Sequence, residues 1–420
     1  MKKKFTFFDK KNKSKKKIKK NKTKLKKSVE GFTTFEVIMI IFISVLFGII
    51  VGCIISVSKL GIIGPNVSKE MQEVITTYNS IINEYYGEVD EKKLMNAAIS
   101  GMVGILDDPH SVYMNSDDTY NFNQSVDGEY VGLGITITWV EGVCTVVEVA
   151  ENSPAEKQGI KVDDVIIGVD SKDVTKSTLE EISELLTGEK GTSVSIKMKR
   201  GEEEKDFTVT RDVIEIKSVT SKVFEEDNKK IGYMYIDTFA SNTYKQFSKQ
   251  LKKLEKKNID SLIIDVRGNS GGRLTQVNEI LDEFLDKKIE IYRIETKGKE
   301  KKVYTTDKTK RDYPVVVLVN DGSASASEIL ASAFMYNYKK ATIVGNTTYG
   351  KGTIQKAVEL SSGASLKYTT QKWLTSKGES LQDKGLTPEV EVQQVAEYYD
   401  NPSDETDAQL KKAIEVLLEK

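Results

Sequence analysis

Residues 314–355 read PVVVLVNDGSASASEILASAFMYNYKKATIVGNTTYGKGTIQ, and the fold turns on them. Val315–Val319 is an unbroken apolar run of strand length, the pattern of a strand buried on both faces. Asn320-Asp321-Gly322 supplies turn chemistry. Small residues follow from Ser323 to Ser327, and a helical pattern begins at Glu328. A strand–turn–helix of this kind lifts a serine hydroxyl to the top of a sheet, beside the free amides of a helix N-terminus. Those amides suit a developing oxyanion. Gly350-Lys351-Gly352 begins 25 positions after Ser325, with Gln355 four beyond Lys351. A serine nucleophile needs a base. The chain holds one histidine, His110, far upstream, so a lysine is the best remaining candidate.

Lys351 acts as a base only if its ammonium loses a proton near neutral pH, and burial with little counter-charge has that effect. Gly350 and Gly352 remove bulk on either side of it. Gln355 is neutral and can orient the amine by a hydrogen bond without restoring its charged form. The same three residues do not make a P-loop: Gly352 stands where a Ser or Thr should ligand magnesium. An isolated Gly-Lys-Gly is also what a plain surface turn looks like.

From about Ile214 strands and helices alternate, the mark of a layered α/β domain. Ile231–Ile236 reads as a strand, Asn242–Leu254 as a helix, and Ser261–Val266 as a buried strand entering Arg267-Gly268-Asn269-Ser270-Gly271-Gly272. A helix runs from Leu274 to about Leu285. Downstream, Ile354–Leu360 and Ala364–Thr370 alternate about Ser361-Ser362-Gly363 as a hairpin. Trp373 to Val392 reads as surface loops and short strands, and Asp407–Leu418 as a terminal helix. The Gly268–Gly272 loop resembles the serine loop of trypsin-like and PDZ-bearing heat-shock proteases. Those enzymes need a histidine and an aspartate in a β-barrel, so Ser270 is set aside as nucleophile. The glycines are better used for close backbone approach, with the Gly271 amide as half of an oxyanion hole.

Residues 126–213 form a separate unit of strands with one good helix, Leu179–Leu186. Tyr130-Val131-Gly132-Leu133-Gly134-Ile135, Asn152-Ser153-Pro154-Ala155, Gly159-Ile160 and Asp163-Asp164-Val165-Ile166 together resemble a PDZ domain. The amides of Leu133, Gly134 and Ile135 would receive a peptide's terminal carboxylate while the peptide adds a strand to the sheet edge. Upstream, helical spacing covers 68–106, ending at Asp107-Asp108-Pro109-His110-Ser111-Val112-Tyr113. A lone histidine after a proline, with no partner in view, reads as a packing or turn residue.

The net charge of −1 conceals an asymmetry. Residues 1–30 hold fifteen lysines against Asp9 and Glu30, a net of +13, which leaves −14 on the rest. The basic charge sits beside Val37–Val57, an uncharged run long enough to span a bilayer. That placement favours a topology signal over nucleic-acid binding. The lysines stay inside and the remainder is sent outside. A cleaved signal peptide is the rival, disfavoured by the run's length and the lack of an A-x-A site. Cys53 and Cys144 make no disulfide framework, and with one histidine no metal site is expected.

SASASE at 323–328, GKGTIQ at 350–355, the DVRGNSGG strand end at 265–272, the DDPHSVY segment and an upstream PDZ together resemble the carboxyl-terminal processing, or tail-specific, serine peptidases. The resemblance spans about residues 68–395. It implies Ser325 as nucleophile, Lys351 as general base, Gln355 in support, and the Ala326 and Gly271 amides as oxyanion hole. One extra residue separates serine from lysine, placed here in the Tyr336–Lys340 loop, and Asn269-Ser270 replaces the commoner Asn-Pro. The implied fold class is multidomain α+β: N-terminal helices, a PDZ domain and a layered α/β, crotonase-like protease core behind one transmembrane helix. The expected divisions are a basic cytoplasmic tail (1–34), an anchor (35–60), a helical region (64–125), the PDZ (126–213), the peptidase core (214–395) and a C-terminal helix (396–420). The implied activity is that of a membrane-tethered endopeptidase acting outside the cytoplasmic membrane, without cofactor. Its partners would be proteins or peptides with exposed apolar C-termini, the lipid bilayer, and a second copy of the chain, with the terminal helix as candidate contact. A catalytically dead PDZ scaffold and a crotonase-like acyl enzyme remain as alternatives.

Overall fold

The computed structural model describes residues 33–59, 67–306 and 311–420. The basic tail expected over 1–34 therefore lies almost wholly outside the described residues. The chain divides into two compact units, Met1–Glu91 and Lys92–Lys420.

In the first unit, helix Thr34–Lys59 contains a 19-residue window, Thr34–Gly52, of mean hydropathy 2.7 and with no part buried. Among the described residues it is the one helix long and apolar enough to cross a membrane. A second helix, Lys69–Glu84, starts at Ser68, whose hydroxyl accepts from the Met71 amide at 3.2 Å.

The second unit is built on a six-stranded sheet. Its order is Val219–Glu226, Lys229–Ile236, Ser261–Asp265, Val315–Val319, Ala341–Gly345 and Val390–Glu391. The first pair is antiparallel and the rest are parallel. Side chains alternate across a strand, and Val315–Val319 shows the consequence. Val315, Val317 and Val319 face helices Thr243–Glu255, Leu274–Asp282 and Ala326–Asn337, among Phe247, Ile280, Ile329 and Phe334. Val316 and Leu318 face the other way, with Ile263 and Val344, onto Leu410, Ala413, Val416 and Leu417 of the terminal helix Ala408–Leu418. The result is three layers, helices on both faces of a sheet. The apolar face of the terminal helix is thus buried against its own chain.

A second sheet joins Val112–Met114, Ser365–Thr375, Glu290–Thr296 and Lys299–Tyr304, with Thr353–Glu359 also paired to Ser365–Thr375. The expected hairpin is present, but its return arm runs five residues past Thr370. Trp373, read from sequence as the start of surface loops, is fully buried in that arm. Its ring packs in the main core and its indole N–H has an acceptor, the arrangement a buried tryptophan requires.

Residues 129–215 form their own sheet and core. Ile135–Val140, Val143–Val149, Val165–Val169, Ser193–Arg200 and Glu203–Thr210 pair in that order, and Glu129–Gly132 pairs with Asp212–Glu215. Helix Leu179–Leu186 carries a complete capping box, Thr178 with Glu181, and buries Ile182 and Leu186 against this sheet.

Candidate active site

Three parallel strands end at one edge, and their exit loops are stitched together. Strand Val315–Val319 exits through Asn320-Asp321-Gly322, where Asn320 Oδ1 accepts from the Gly268 and Gly322 amides. The Ala324 amide and the Ser327 hydroxyl both donate to Asn269 O, at 3.0 and 2.8 Å. Ser323 Oγ donates to Val266 O at 2.7 Å. The alternate serines of SASAS are therefore fastened into the neighbouring loop, fully buried. Ser325 Oγ, half-buried, donates to no carbonyl among the described residues. Its backbone holds φ 54° and ψ −111°, a region that L-residues other than glycine rarely occupy and that clusters at functional sites.

Ser325 begins helix Ala326–Asn337, so the Ala326 amide is one of the helix's unpaired first-turn donors. Gly271 packs directly on this turn. A Cβ built on it would lie 2.9 Å from Ser325 Cβ and 3.2 Å from the Ala326 nitrogen, and its φ is +111°. The loop is thus as close as sequence suggested. Its amide, however, is not free: Gly271 N–H donates to Asn269 Oδ1 at 2.8 Å. Of the two expected oxyanion donors only Ala326 is unengaged. Ser270 is exposed.

Lys351 sits between glycines for a steric reason. A Cβ on Gly350 would meet Lys384 and Gly385 backbone within 2.9 Å, and one on Gly352 would meet Gln382 at 3.0 Å. The Lys351 carbonyl accepts from Trp373 Nε1 at 2.7 Å, and its amide donates to Glu328 Oε2 at 2.9 Å. Burial pushes the half-buried ammonium below the usual lysine range, and the charge of Lys367 pushes the same way; Asp108 and Glu328 oppose them. No hydrogen bond joins Ser325 Oγ to Lys351 Nζ. In unliganded sites such bonds are often long and tighten with substrate.

One expected contact is absent here, and one unexpected neighbour is present. Gln355 makes no hydrogen bond to Lys351; its Nε2 donates to Thr353 and Thr369 hydroxyls at 2.9 and 3.1 Å. His110 is not remote. Strand Val112–Met114 pairs with Ser365–Lys367, and Ser111 Oγ accepts from the Thr369 amide at 3.1 Å. That pairing brings Asp108 and His110 into the electrostatic surroundings of Lys351: burial and the Lys351 charge both lower the His110 imidazole, and Asp108 raises it. Sequence spacing gave no sign of this strand pairing, which joins residues more than 250 positions apart.

Glu328 was also missed. It is fully buried and accepts from the Ser325 amide (2.7 Å), the Thr348 hydroxyl (2.6 Å), the Gly350 amide (2.8 Å) and the Lys351 amide. The signal was present as Ser325-x-x-Glu328, the spacing of a capping box.

In the strand-rich unit, the Leu133 and Gly134 amides meet no acceptor among the described residues. Gly134 has φ +81°, and a Cβ there would lie 2.2 Å from Ser153 Cβ. Between Ile137 and helix Leu179–Leu186 runs an open groove of about 720 Å³, lined also by Ser183 and Thr187. A larger cavity of about 820 Å³ at the sheet edge is lined by Tyr233, Tyr235, Arg267 and Asn346, and neither Ser325 nor Lys351 reaches it. Among the described residues no cluster could hold a metal.

Residues 230–392 match the family described as Peptidase family S41, residues 57–118 the activating protease CtpB N-terminal domain, and residues 131–210 the PDZ domain. The chain is 39% identical over 332 residues to the carboxy-terminal processing protease CtpB of Bacillus subtilis (strain 168), covering 78% of this chain and 68% of that protein. It is 37% identical over 318 residues to CtpA of the same organism, covering 75% and 67%. A solved photosystem II D1 C-terminal processing protease is 26% identical, with TM-score 0.45, covering 78% of this chain and 94% of that one. The chain therefore belongs to peptidase family S41 and is a carboxy-terminal processing serine protease that carries a PDZ domain.

Proposed function

We propose that Ser325 and Lys351 form the catalytic dyad of a membrane-anchored endopeptidase. The observation that carries this reading is the division of labour among the serines: Ser323 and Ser327 are fastened to carbonyls, while Ser325 stands at a helix N-terminus in strained backbone, with its amide tied to the same carboxylate oxygen as that of a lysine whose proton is weakened by burial. Ser325 Oγ attacks the scissile carbonyl carbon and its proton passes to Lys351 Nζ. The developing oxyanion lies against the Ala326 amide, and against that of Gly271 once Asn269 releases it. Collapse breaks the C–N bond, and the leaving amine takes the proton from Lys351. Water, deprotonated by Lys351, then cleaves the acyl-enzyme.

The Leu133–Ile135 amides and the groove over Ile137 suit an extended tail with a free carboxylate and apolar side chains. Helix Thr34–Lys59, with the lysines that precede it, suits an anchor that leaves the catalytic part outside the cytoplasmic membrane. The test is a fluorophosphonate or sulfonyl fluoride label on the purified protein. Mass spectrometry is expected to find it on Ser325, with labelling slowed in Lys351→Ala. A label on Ser270 would refute the assignment, and tail binding without turnover would mark a peptide-holding scaffold.

A further inference from the structure

Glu328 is a costly residue to place where it lies. It has no exposed surface, and among the described residues it has no ion-pair partner. A carboxylate is buried in this way only when its lone pairs are filled, and here they are filled evenly. Oε1 accepts from the Thr348 hydroxyl and the Gly350 amide. Oε2 accepts from the Ser325 and Lys351 amides. All four partners donate, the complement of a carboxylate rather than of a protonated acid. Thr348 Oγ1 in turn accepts from the Leu386 amide at 2.7 Å.

A helix cap needs only the bond to Ser325. The other three bonds reach a segment 20 to 23 positions along the chain and are irrelevant to capping. We propose that Glu328 is the positioning residue of the site, its Oε2 bridging the backbones of nucleophile and base so that the two loops hold one register. This rests on the Ser325–Lys351 reading. The two loops leave neighbouring strands of one sheet and diverge beyond it, and a shared acceptor between their amides limits the relative movement that would separate hydroxyl from amine. The site sits beside a helix N-terminus, where a negative charge is favoured. The charge also acts on Lys351, whose ammonium it stabilises; Asp108 acts in the same sense, Lys367 against, with His110 close by.

The test is Glu328→Gln in the full-length chain, with Ser325→Ala and Lys351→Ala in parallel. Glutamine keeps the shape, but its NH2 group faces two donors. The expected result is a folded protein whose kcat for an apolar-tailed peptide falls about 100-fold, the scale of a misplaced reactive group, while KM holds within about threefold. The acidic limb of kcat/KM should move to lower pH, because the carboxylate that helps Lys351 keep its proton is gone. A folded E328Q with near wild-type kcat, or with an unmoved limb, overturns the proposal. If E328Q does not fold, Glu328→Asp replaces it: the charge stays and the reach is one methylene short, so kcat should fall at least about tenfold with the limb unmoved. Wild-type kcat in E328D, or failure of both variants to fold, shows a purely structural residue and overturns it too. Activity surviving in S325A or K351A would instead sink the dyad itself, whatever Glu328 does.

Discussion

Lys351 has one charged neighbour that drives its proton off and two that hold it on. Lys367 lowers its basicity, and Asp108 and Glu328 raise it, on top of the larger effect of burial. On the proposed Ser325–Lys351 reading the lysine works when neutral, so kcat/KM rises as pH rises through its pKa. Lys367→Gln removes the repulsion, which lets Lys351 keep its proton longer. The acidic limb of kcat/KM should therefore move to higher pH, with the rate at high pH preserved; a pH profile on a short peptide measures it. Gly271 allows a second test at this scale. At φ +111° and 2.9 Å from Ser325 Cβ, alanine would be strained and would push on the nucleophile. Gly271→Ala should lose activity by about 100-fold, as misplacement near the reacting atoms does, and fluorophosphonate labelling of Ser325 should slow in parallel.

The terminal helix is held by an ion triad as well as by its apolar face. Arg267, at the end of strand Ser261–Asp265, lies between Asp265 at 2.6 Å and Asp407 at 2.8 Å, and all three are largely buried. Asp407 caps the helix by accepting from the Leu410 amide at 2.9 Å. Burial alone would raise the Asp407 carboxyl, but its hydrogen bonds to Arg267 and the attraction of that charge outweigh burial and hold it below the usual range. A depressed folded-state pKa contributes stability above the unfolded value and loses it as pH falls through the folded one, so the docking of this helix should weaken in acid. Arg267→Ala leaves two buried carboxylates unpaired and should cost about 3–5 kcal/mol, read by urea unfolding. The same substitution leaves Glu328 untouched, so activity per folded molecule should change less than stability.

At the scale of the whole chain, the PDZ domain, the peptidase domain and the apolar helix sit on separate stretches, so the proposed capture, cutting and attachment can be tested separately. Gly134→Val places a side chain against Ser153 at a positive φ. It should abolish capture of an apolar-tailed peptide, measured by fluorescence anisotropy, while Ser325 still labels. Deleting residues 1–59 should shift the protein from the membrane pellet to the supernatant with peptide hydrolysis intact. If the truncated protein still sediments with membranes, the anchor lies elsewhere.

Much of this was legible in one dimension because the signals are local. The five-residue apolar run at Val315, the small residues after it, the glycines around Lys351 and the G-L-G-I loop each report on a few adjacent backbone positions, and each element formed where its pattern lies. The distant pairings were not legible. His110 reaches the surroundings of Lys351 because a three-residue strand adds to the edge of Ser365–Thr375, and Trp373 is a core residue because its ring packs in the main cluster while its indole N–H finds the Lys351 carbonyl. Glu328 shows both sides: its spacing from Ser325 announced a cap, but its hold on the Lys351 amide depends on a loop that sequence cannot place. Period and turn chemistry are properties of neighbouring residues, so the amino-acid order alone determined the strands, the helices and the candidate serine and lysine. Which amide a buried carboxylate meets depends on how loops from different strands close in space, and only the tertiary structure decided that.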